Sequence, residues 1–288
     1  MSHTVVLTHR GLQPSTSHFF AESSFEAFQN QIENGFGLEF DFNLTADDKI
    51  VIFHDSSLAR TNSNSDKRMI SSLLSAEIKK LSLGNDHFCF FDRLIPLLEE
   101  SKAPLHALHF KGKFQQPKYM GALIEALYRR KNLQSKILLF DLRPQTARFL
   151  KQQLPSVHLA ASVAHPYDIE RYGNVVDNTL LTIDDALKNQ DLFEWVWLDE
   201  WDRLDRKSDK KLYTPENFQV LRKHDFHIAL VTPDLHATSP GLLGGEAHSD
   251  AATKEQLFER IKEILTLKPD AVCTDFPYEV QSMAFSNG

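Results

Sequence analysis

The chain has 288 residues, which exceeds the usual length of one domain yet fits a single large α/β barrel spanning residues 1–288. With 42% hydrophobic residues, 25% charged residues and 21 Phe it can bury a sizeable core, which excludes global disorder and the collagen-like, coiled-coil and disulfide-scaffold classes. A balance of 32 Lys and Arg against 39 Asp and Glu leaves a net charge of -7, so no basic field recommends nucleic acid or an anionic membrane as the partner.

Short apolar or β-branched runs alternate with amphipathic stretches along most of the chain, the pattern of strand-helix units around a parallel sheet. The predicted strands are Val5 to Thr8, Leu38 to Phe42, Ile50 to Phe53, Leu105 to Phe110, Ile137 to Phe140, Val157 to Val163, Trp195 to Leu198, Ile228 to Val231 and Ala271 to Cys273. Nine runs match a (β/α)8 TIM barrel with one extra hairpin strand after strand two. Helical spacing occupies Ser24 to Asn34, Ser75 to Leu81, Pro117 to Arg130, Pro144 to Leu154, Pro215 to His224 and Thr253 to Leu267. Several of these open on Pro at the first turn or on a capping Ser or Thr. Asn62 to Arg68 and Pro233 to Asp250 are loops by composition. Phe88 to Phe91 is either a surface patch or core, and core is the simpler expectation.

Cys89 and Cys273 lie far apart without a CxxC pair, so neither a zinc ribbon nor a disulfide framework is expected. The N-terminus lacks a basic segment followed by a long apolar one, and no apolar run approaches the ~18 residues of a membrane span. The expectation is a cytoplasmic protein with no membrane anchor.

A barrel places its chemistry at the C-terminal ends of its strands. The first strand ends in His9-Arg10-Gly11, a proton-transfer imidazole beside a guanidinium fork suited to phosphate oxygens. On the second strand Glu39 and Asp41 are two residues apart, so both carboxylates leave the same face and repel unless a cation lies between them. Carboxylate oxygen favours Mg²⁺, Ca²⁺ or Mn²⁺, and the alternative is one solvated and one ion-paired carboxylate. The third run ends in His54-Asp55, a second strand-tip histidine. Together His9 and His54 supply the two groups needed to take a proton from a nucleophile and give one to a leaving group.

These residues carry a resemblance. HRG at 9–11, AES at 21–23, EFDFNLTADDKIVIFHD at 39–55, LARTN at 58–62 and IPLLEE at 95–100 resemble the ordered blocks of the glycerophosphodiester phosphodiesterase family. Weaker echoes follow in HFK at 109–111, LFD at 139–141 and TDFP at 274–277. The resemblance implies a TIM barrel that hydrolyses a small-molecule phosphodiester with a divalent metal, usually calcium or magnesium. It implies that His9 and His54 are the general acid and base, that Arg10 and Lys111 bind phosphate, and that Glu39 and Asp41 ligate the metal. Glu22 would hold Arg10 or help shape the metal site. Whether a glycerol hydroxyl attacks first, to give a cyclic phosphate, stays open.

The chain departs from that pattern at His109, where the family has the Glu of E-x-K as a third ligand. An imidazole is poor for Ca²⁺ and Mg²⁺ but suits Mn²⁺, Zn²⁺ or Ni²⁺. Three readings remain: His109 ligates a softer metal, a weakened Mg²⁺ site is completed by water, or activity has been lost. Asp199 and Glu200 are candidates for borrowed ligands, or else a solvated acidic rim. The family's Trp-Thr-Val-Asn after strand seven reads Val231-Thr232-Pro233-Asp234 here, so the aromatic wall facing substrate is absent. His236, in the following loop, is either an added polar contact or simply exposed. The expected function is metal-dependent phosphodiester hydrolysis that releases glycerol 3-phosphate or a similar polyol phosphate and an alcohol. The alternatives are a catalytically silent barrel that binds a phosphorylated ligand or partner, and the same chemistry on another phosphodiester such as a sugar phosphodiester.

Overall fold

The computed structural model describes residues 4–16, 20–60, 66–200, 211–233, 251 and 253–286. All the strands anticipated from apolar runs are present, with ends moved by one or two residues. In chain order the strands are β1 (Val5–His9), β2 (Gly37–Leu44), β3 (Ile50–Ile52), β4 (Ser82–Leu83), β5 (Asp86–His87), β6 (Cys89–Phe90), β7 (His106–His109), β8 (Ile137–Phe140), β9 (His158–Val163), β10 (Trp195–Leu198), β11 (His227–Val231) and β12 (Ala271–Thr274). Eight of them, β1, β2 and β7 to β12, pair in parallel in that order, and β12 closes back on β1. β3 pairs antiparallel with β2, and β6 with β3, so the extra hairpin strand stands outside the ring.

The helices are α1 (Phe25–Glu33), α2 (Ser75–Ile78), α3 (Phe91–Glu100), α4 (Pro117–Leu127), α5 (Lys131–Gln134), α6 (Pro144–Gln153), α7 (Pro166–Tyr172), α8 (Ile183–Lys188), α9 (Pro215–Lys223), α10 (Lys254–Thr266) and α11 (Pro277–Ser286). The anticipated starts hold because their caps are satisfied. Ser24 Oγ accepts from Ala27 N at 3.0 Å, Thr253 and Gln256 form a capping box, and Pro opens α4, α6 and α9. The helices α3, α5, α7, α8 and α11 were not anticipated. In α3 the interior Pro96 obscures the apolar stripe of Phe91, Leu94, Ile95 and Leu98. At 7 and 6 residues, α7 and α8 are too short to show a period. Phe88 to Phe91 is core, as expected.

Strand alternation divides the apolar residues into two layers. Val6, Leu38, Phe40, Leu108, Leu139, Val196 and Leu230 face the helices, whereas Leu7, Ala107, Leu138, Phe140, Ala160, Trp197, Ala229 and Ala271 fill the barrel. Inside, Phe140 and Trp197 stack with ring centroids 3.9 Å apart, and alanines on the other strands make room for them. This aromatic pair is the floor on which the functional site rests.

At the opposite end of the barrel, β2 begins at the only residue type its surroundings admit. A Cβ on Gly37 would lie 2.3 Å from Leu105 O and 2.5 Å from Leu7 Cδ2, and backbone cannot yield as a flexible side chain can. Gly37→Ala is therefore expected to destabilise the protein by about 1–3 kcal/mol, read from denaturant midpoints. A midpoint equal to wild type would show that the barrel base relaxes freely. Nearby His106 is fully buried, accepts the Leu38 N–H at 3.1 Å and is pushed down to about 3 by burial and by Lys136, so it is a neutral structural histidine.

Candidate active site

The outward set of β2 is Leu38, Phe40 and Phe42, so the same alternation turns Glu39 and Asp41 into the barrel mouth. The shared-face expectation is met, and both carboxylates are buried. Register brings their partners alongside: His9 of β1 is level with Glu39, and Asp41 is level with His109 of β7. Donor atoms of Glu39, Asp41 and His109 all lie within 4.8 Å of one another.

Arg10 follows directly in the left-handed region, at φ 53°, and Gly11 at φ 73°. The turn sends the Arg10 N–H back to Glu39 O at 3.1 Å and to Glu39 Oε2 at 3.3 Å, while the guanidinium swings over the mouth. A Cβ at position 11 would lie 2.9 Å from Ala27 Cβ, which together with the positive φ explains Gly after His-Arg. Arg10 Nη1 is 3.7 Å from Glu22 Oε2 and Nε is 3.7 Å from Asp41 Oδ2, too long for hydrogen bonds. Arg10 Nε and Asp41 Oδ2 are buried without a hydrogen-bond partner. Glu22 also pairs with Arg60, whose Nε donates to Asp55 Oδ2 at 2.6 Å.

His54 lies just past β3, and its Nδ1 donates to Asp55 Oδ1 at 2.6 Å. Burial first, and then the Arg10 charge, push its imidazole down to about 3, so it is neutral at physiological pH. His9 Nδ1 donates to Asp275 Oδ1 at 2.8 Å. Lys111, past the end of β7, places Nζ 3.0 Å from Asp41 Oδ1 and donates to His54 O at 2.6 Å. One ammonium thus ties the Asp41 strand to the His54 loop.

His109 sits between two carboxylates, with Nδ1 2.9 Å from Asp41 Oδ1 and Nε2 2.7 Å from Asp141 Oδ2. Burial opposes its charge, but Asp141 and then Asp41 outweigh burial and raise it to about 9. Glu39 is pushed up by burial and by the Asp41 charge. Burial also opposes ionisation of Asp41, yet Lys111, His54 and His109 hold it well below the usual carboxylate range. A mouth with two buried acids, one carrying an unpartnered oxygen, fits a divalent cation, which would relieve Glu39 and reverse the local field.

The structure brings together all eight residues anticipated for the site: His9, Arg10, Glu22, Glu39, Asp41, His54, His109 and Lys111. It does not support Glu200 as a borrowed ligand. Its carboxylate accepts from Leu212 N at 2.6 Å, Tyr213 N at 2.9 Å and Arg260 Nη2 at 2.7 Å, which anchors the segment after β10. Among the described residues, Glu39, Asp41 and His109 form the acidic and imidazole cluster able to hold a metal, and Asp199 is not part of it. Most of the 62–68 loop, all of 234–250 and His236 lie outside the described residues. Asp55, Asp141 and Asp275 received no role from sequence, although each lies within a strand-end motif block and could have been found there. No helix among the described residues is long and apolar enough to cross a membrane.

The family model for the glycerophosphoryl diester phosphodiesterase family matches residues 9–279. An uncharacterized protein of Bacillus subtilis is 26% identical over 178 residues, covering 59% of this chain and 71% of that one. Among solved structures, a candidate glycerophosphoryl diester phosphodiesterase of Silicibacter pomeroyi superposes with a TM-score of 0.69 at 17% identity, covering 100% of this chain and 95% of that one. A glycerophosphodiester phosphodiesterase of Thermotoga maritima gives 0.61 at 18% identity, covering 99% of both chains. An Oleispira antarctica phosphodiesterase in complex with its product sn-glycerol-3-phosphate gives 0.62 at 15% identity, covering 98% of this chain and 96% of that one. With the family model spanning the barrel from His9 past Asp275, the chain belongs to the glycerophosphoryl diester phosphodiesterase family and is a phosphoric diester hydrolase.

Proposed function

We propose that this protein hydrolyses glycerophosphodiesters with the help of a divalent metal, releasing glycerol 3-phosphate or a similar polyol phosphate and an alcohol. The observation that carries this reading is the convergence of two carboxylate-held histidines and two cations on the Glu39-Asp41 pair at the barrel mouth. A divalent ion held by Glu39, Asp41 and His109 would add positive charge against the non-bridging oxygens. Resemblance favours Mg²⁺ or Ca²⁺ there, and the imidazole of His109 favours Mn²⁺ or Zn²⁺. Arg10, whose Nε has no hydrogen-bond partner, offers its fork to the phosphate, and Lys111 adds a second cation beside it.

His54, neutral because it is buried beside Arg10, accepts the proton of the attacking hydroxyl or water. His9, whose Nδ1 is fixed on Asp275, gives a proton to the departing alcohol oxygen as its bond to phosphorus breaks. In each case the carboxylate on Nδ1 fixes the tautomer and presents Nε2 for proton transfer. The substrate in this reading is a small molecule.

The test is incubation of purified protein with glycerophosphocholine and glycerophosphoethanolamine, with and without Mg²⁺, Ca²⁺, Mn²⁺ and Zn²⁺. Release of glycerol 3-phosphate that depends on one of these ions is expected. Absence of turnover with every ion would sink the reading, and turnover only on other phosphodiesters would move the substrate while leaving the chemistry in place.

A further inference from the structure

We propose that Asp141 is a positioning residue that makes His109 a metal ligand, by holding the ring through Nε2 so that Nδ1 faces Glu39 and Asp41. The inference rests on the metal-dependent reading above and names how this chain builds the nitrogen side of that site. His109 Nδ1 lies on the side of the acidic pair, 2.9 Å from Asp41 Oδ1, and Nε2 lies on the other side, 2.7 Å from Asp141 Oδ2. A carboxylate behind a ligating imidazole fixes its tautomer and raises its basicity as a donor. It also places a formal negative charge behind a ligand that itself brings none.

Asp141 is held for this task. It is the first residue after β8 and adopts the left-handed region at φ 62°, which Asp tolerates better than most residues. Its N–H donates to Ser162 Oγ at 2.7 Å, and its C=O accepts from Gln115 Nε2 at 2.6 Å. The ring of His109 is fixed from below by Phe140, with centroids 4.7 Å apart and planes 11° from parallel, and Phe140 rests in turn on Trp197. Stacking sets the plane of the imidazole and Asp141 sets its rotation within that plane. Neither constraint is needed for a carboxylate ligand, which offers oxygen over a wide range of rotation. A nitrogen donor supported in this way suits Mn²⁺ or Zn²⁺ better than Ca²⁺.

The test is calorimetric titration of the full-length, metal-free protein with Mn²⁺, Zn²⁺ and Mg²⁺, with circular dichroism to establish that each variant is folded. Asp141→Asn, which keeps the shape of the side chain, is expected to weaken Mn²⁺ binding about 10- to 100-fold. In a His109→Glu background the same change is expected to cost less than about twofold, because there is no ring left to orient. Pulsed electron spin resonance of bound Mn²⁺ in protein labelled with ¹⁵N-histidine is expected to show an imidazole coupling that His109→Glu removes. Unchanged binding by Asp141→Asn, an equal loss in both backgrounds, or no imidazole coupling in the wild type overturns the inference. A wild-type protein that binds none of the ions brings down the metal-dependent reading itself, so the two failures are distinguishable.

Discussion

Replacing either His9 or His54 by alanine is expected to lower kcat by about 10²- to 10⁴-fold while leaving the fold intact. The two imidazoles reach the barrel mouth by different routes: His9 ends β1 and His54 follows the extra strand β3. Both present Nδ1 to a carboxylate, at 2.8 Å for Asp275 and 2.6 Å for Asp55. The neutral state of His54 equips it to accept a proton across the ordinary assay range, since its shift to about 3 keeps it unprotonated. Each variant leaves Glu39, Asp41 and His109 in place, so metal binding is expected to persist while turnover fails. The double variant is expected to be little worse than either single one, because residues that serve one proton-transfer cycle are not additive. Initial rates of glycerol 3-phosphate release, measured on folded protein at saturating metal, decide the point. A loss below tenfold in either single variant would remove that histidine from the chemistry.

Asp41→Asn is expected to damage both stability and activity. The Asp41 carboxylate faces Lys111 Nζ at 3.0 Å, His109 Nδ1 at 2.9 Å and Arg10 Nε at 3.7 Å, and its side chain is 1% exposed. Neutralising it leaves buried cations without their counter-charge, at a cost of about 3–5 kcal/mol. That corresponds to a fall in Tm of roughly 6–20 °C in a chain of this size. Activity is expected to fall by about 10²- to 10³-fold, comparable to the loss of one fixed charge at a developing anion. Chelation of the wild type with EDTA should abolish turnover, with recovery when the metal is returned, while recovery stays poor in the variant.

The pH dependence carries the same signature. The Asp41 carboxyl is held below its ordinary 3.8, so its contribution to stability is present above that value and is lost as pH falls through the lower folded value. The difference in stability between wild type and Asp41→Asn should therefore be full at pH 7 and shrink below about pH 4. Taking the difference between the two proteins at each pH isolates Asp41 from the other carboxylates. A difference that stays constant down to pH 2 would show that the Asp41 charge is not what holds the mouth together.

The parts legible in sequence were those governed by local rules. Glu39 and Asp41 share a face because strand side chains alternate with a period of two, and the flanking Leu38, Phe40 and Phe42 mark which face is outward. Caps at Ser24 and Thr253 placed two helix starts for the same reason, since a cap is satisfied within three residues. α3 escaped notice because its Pro96 breaks the local pattern while tertiary burial of Phe91, Leu94 and Leu98 keeps it helical.

Sequence by itself determined the family, the strand-end placement of His9, Arg10, Glu39, Asp41, His54 and Lys111, and the departure at His109. Only the tertiary structure decided what those groups touch. His9 meets Asp275 across 266 positions of chain because β12 closes the ring against β1, level at Thr8 and Thr274. His109 meets Asp141 because β7 and β8 pair with His109 level with Phe140, which leaves the residue just past β8 at the height of the ring. The physical reason is that alternation and capping act over a few residues, whereas barrel closure and strand register are cooperative properties of the whole sheet. That register is what sets the His109 ring between Asp41 and Asp141.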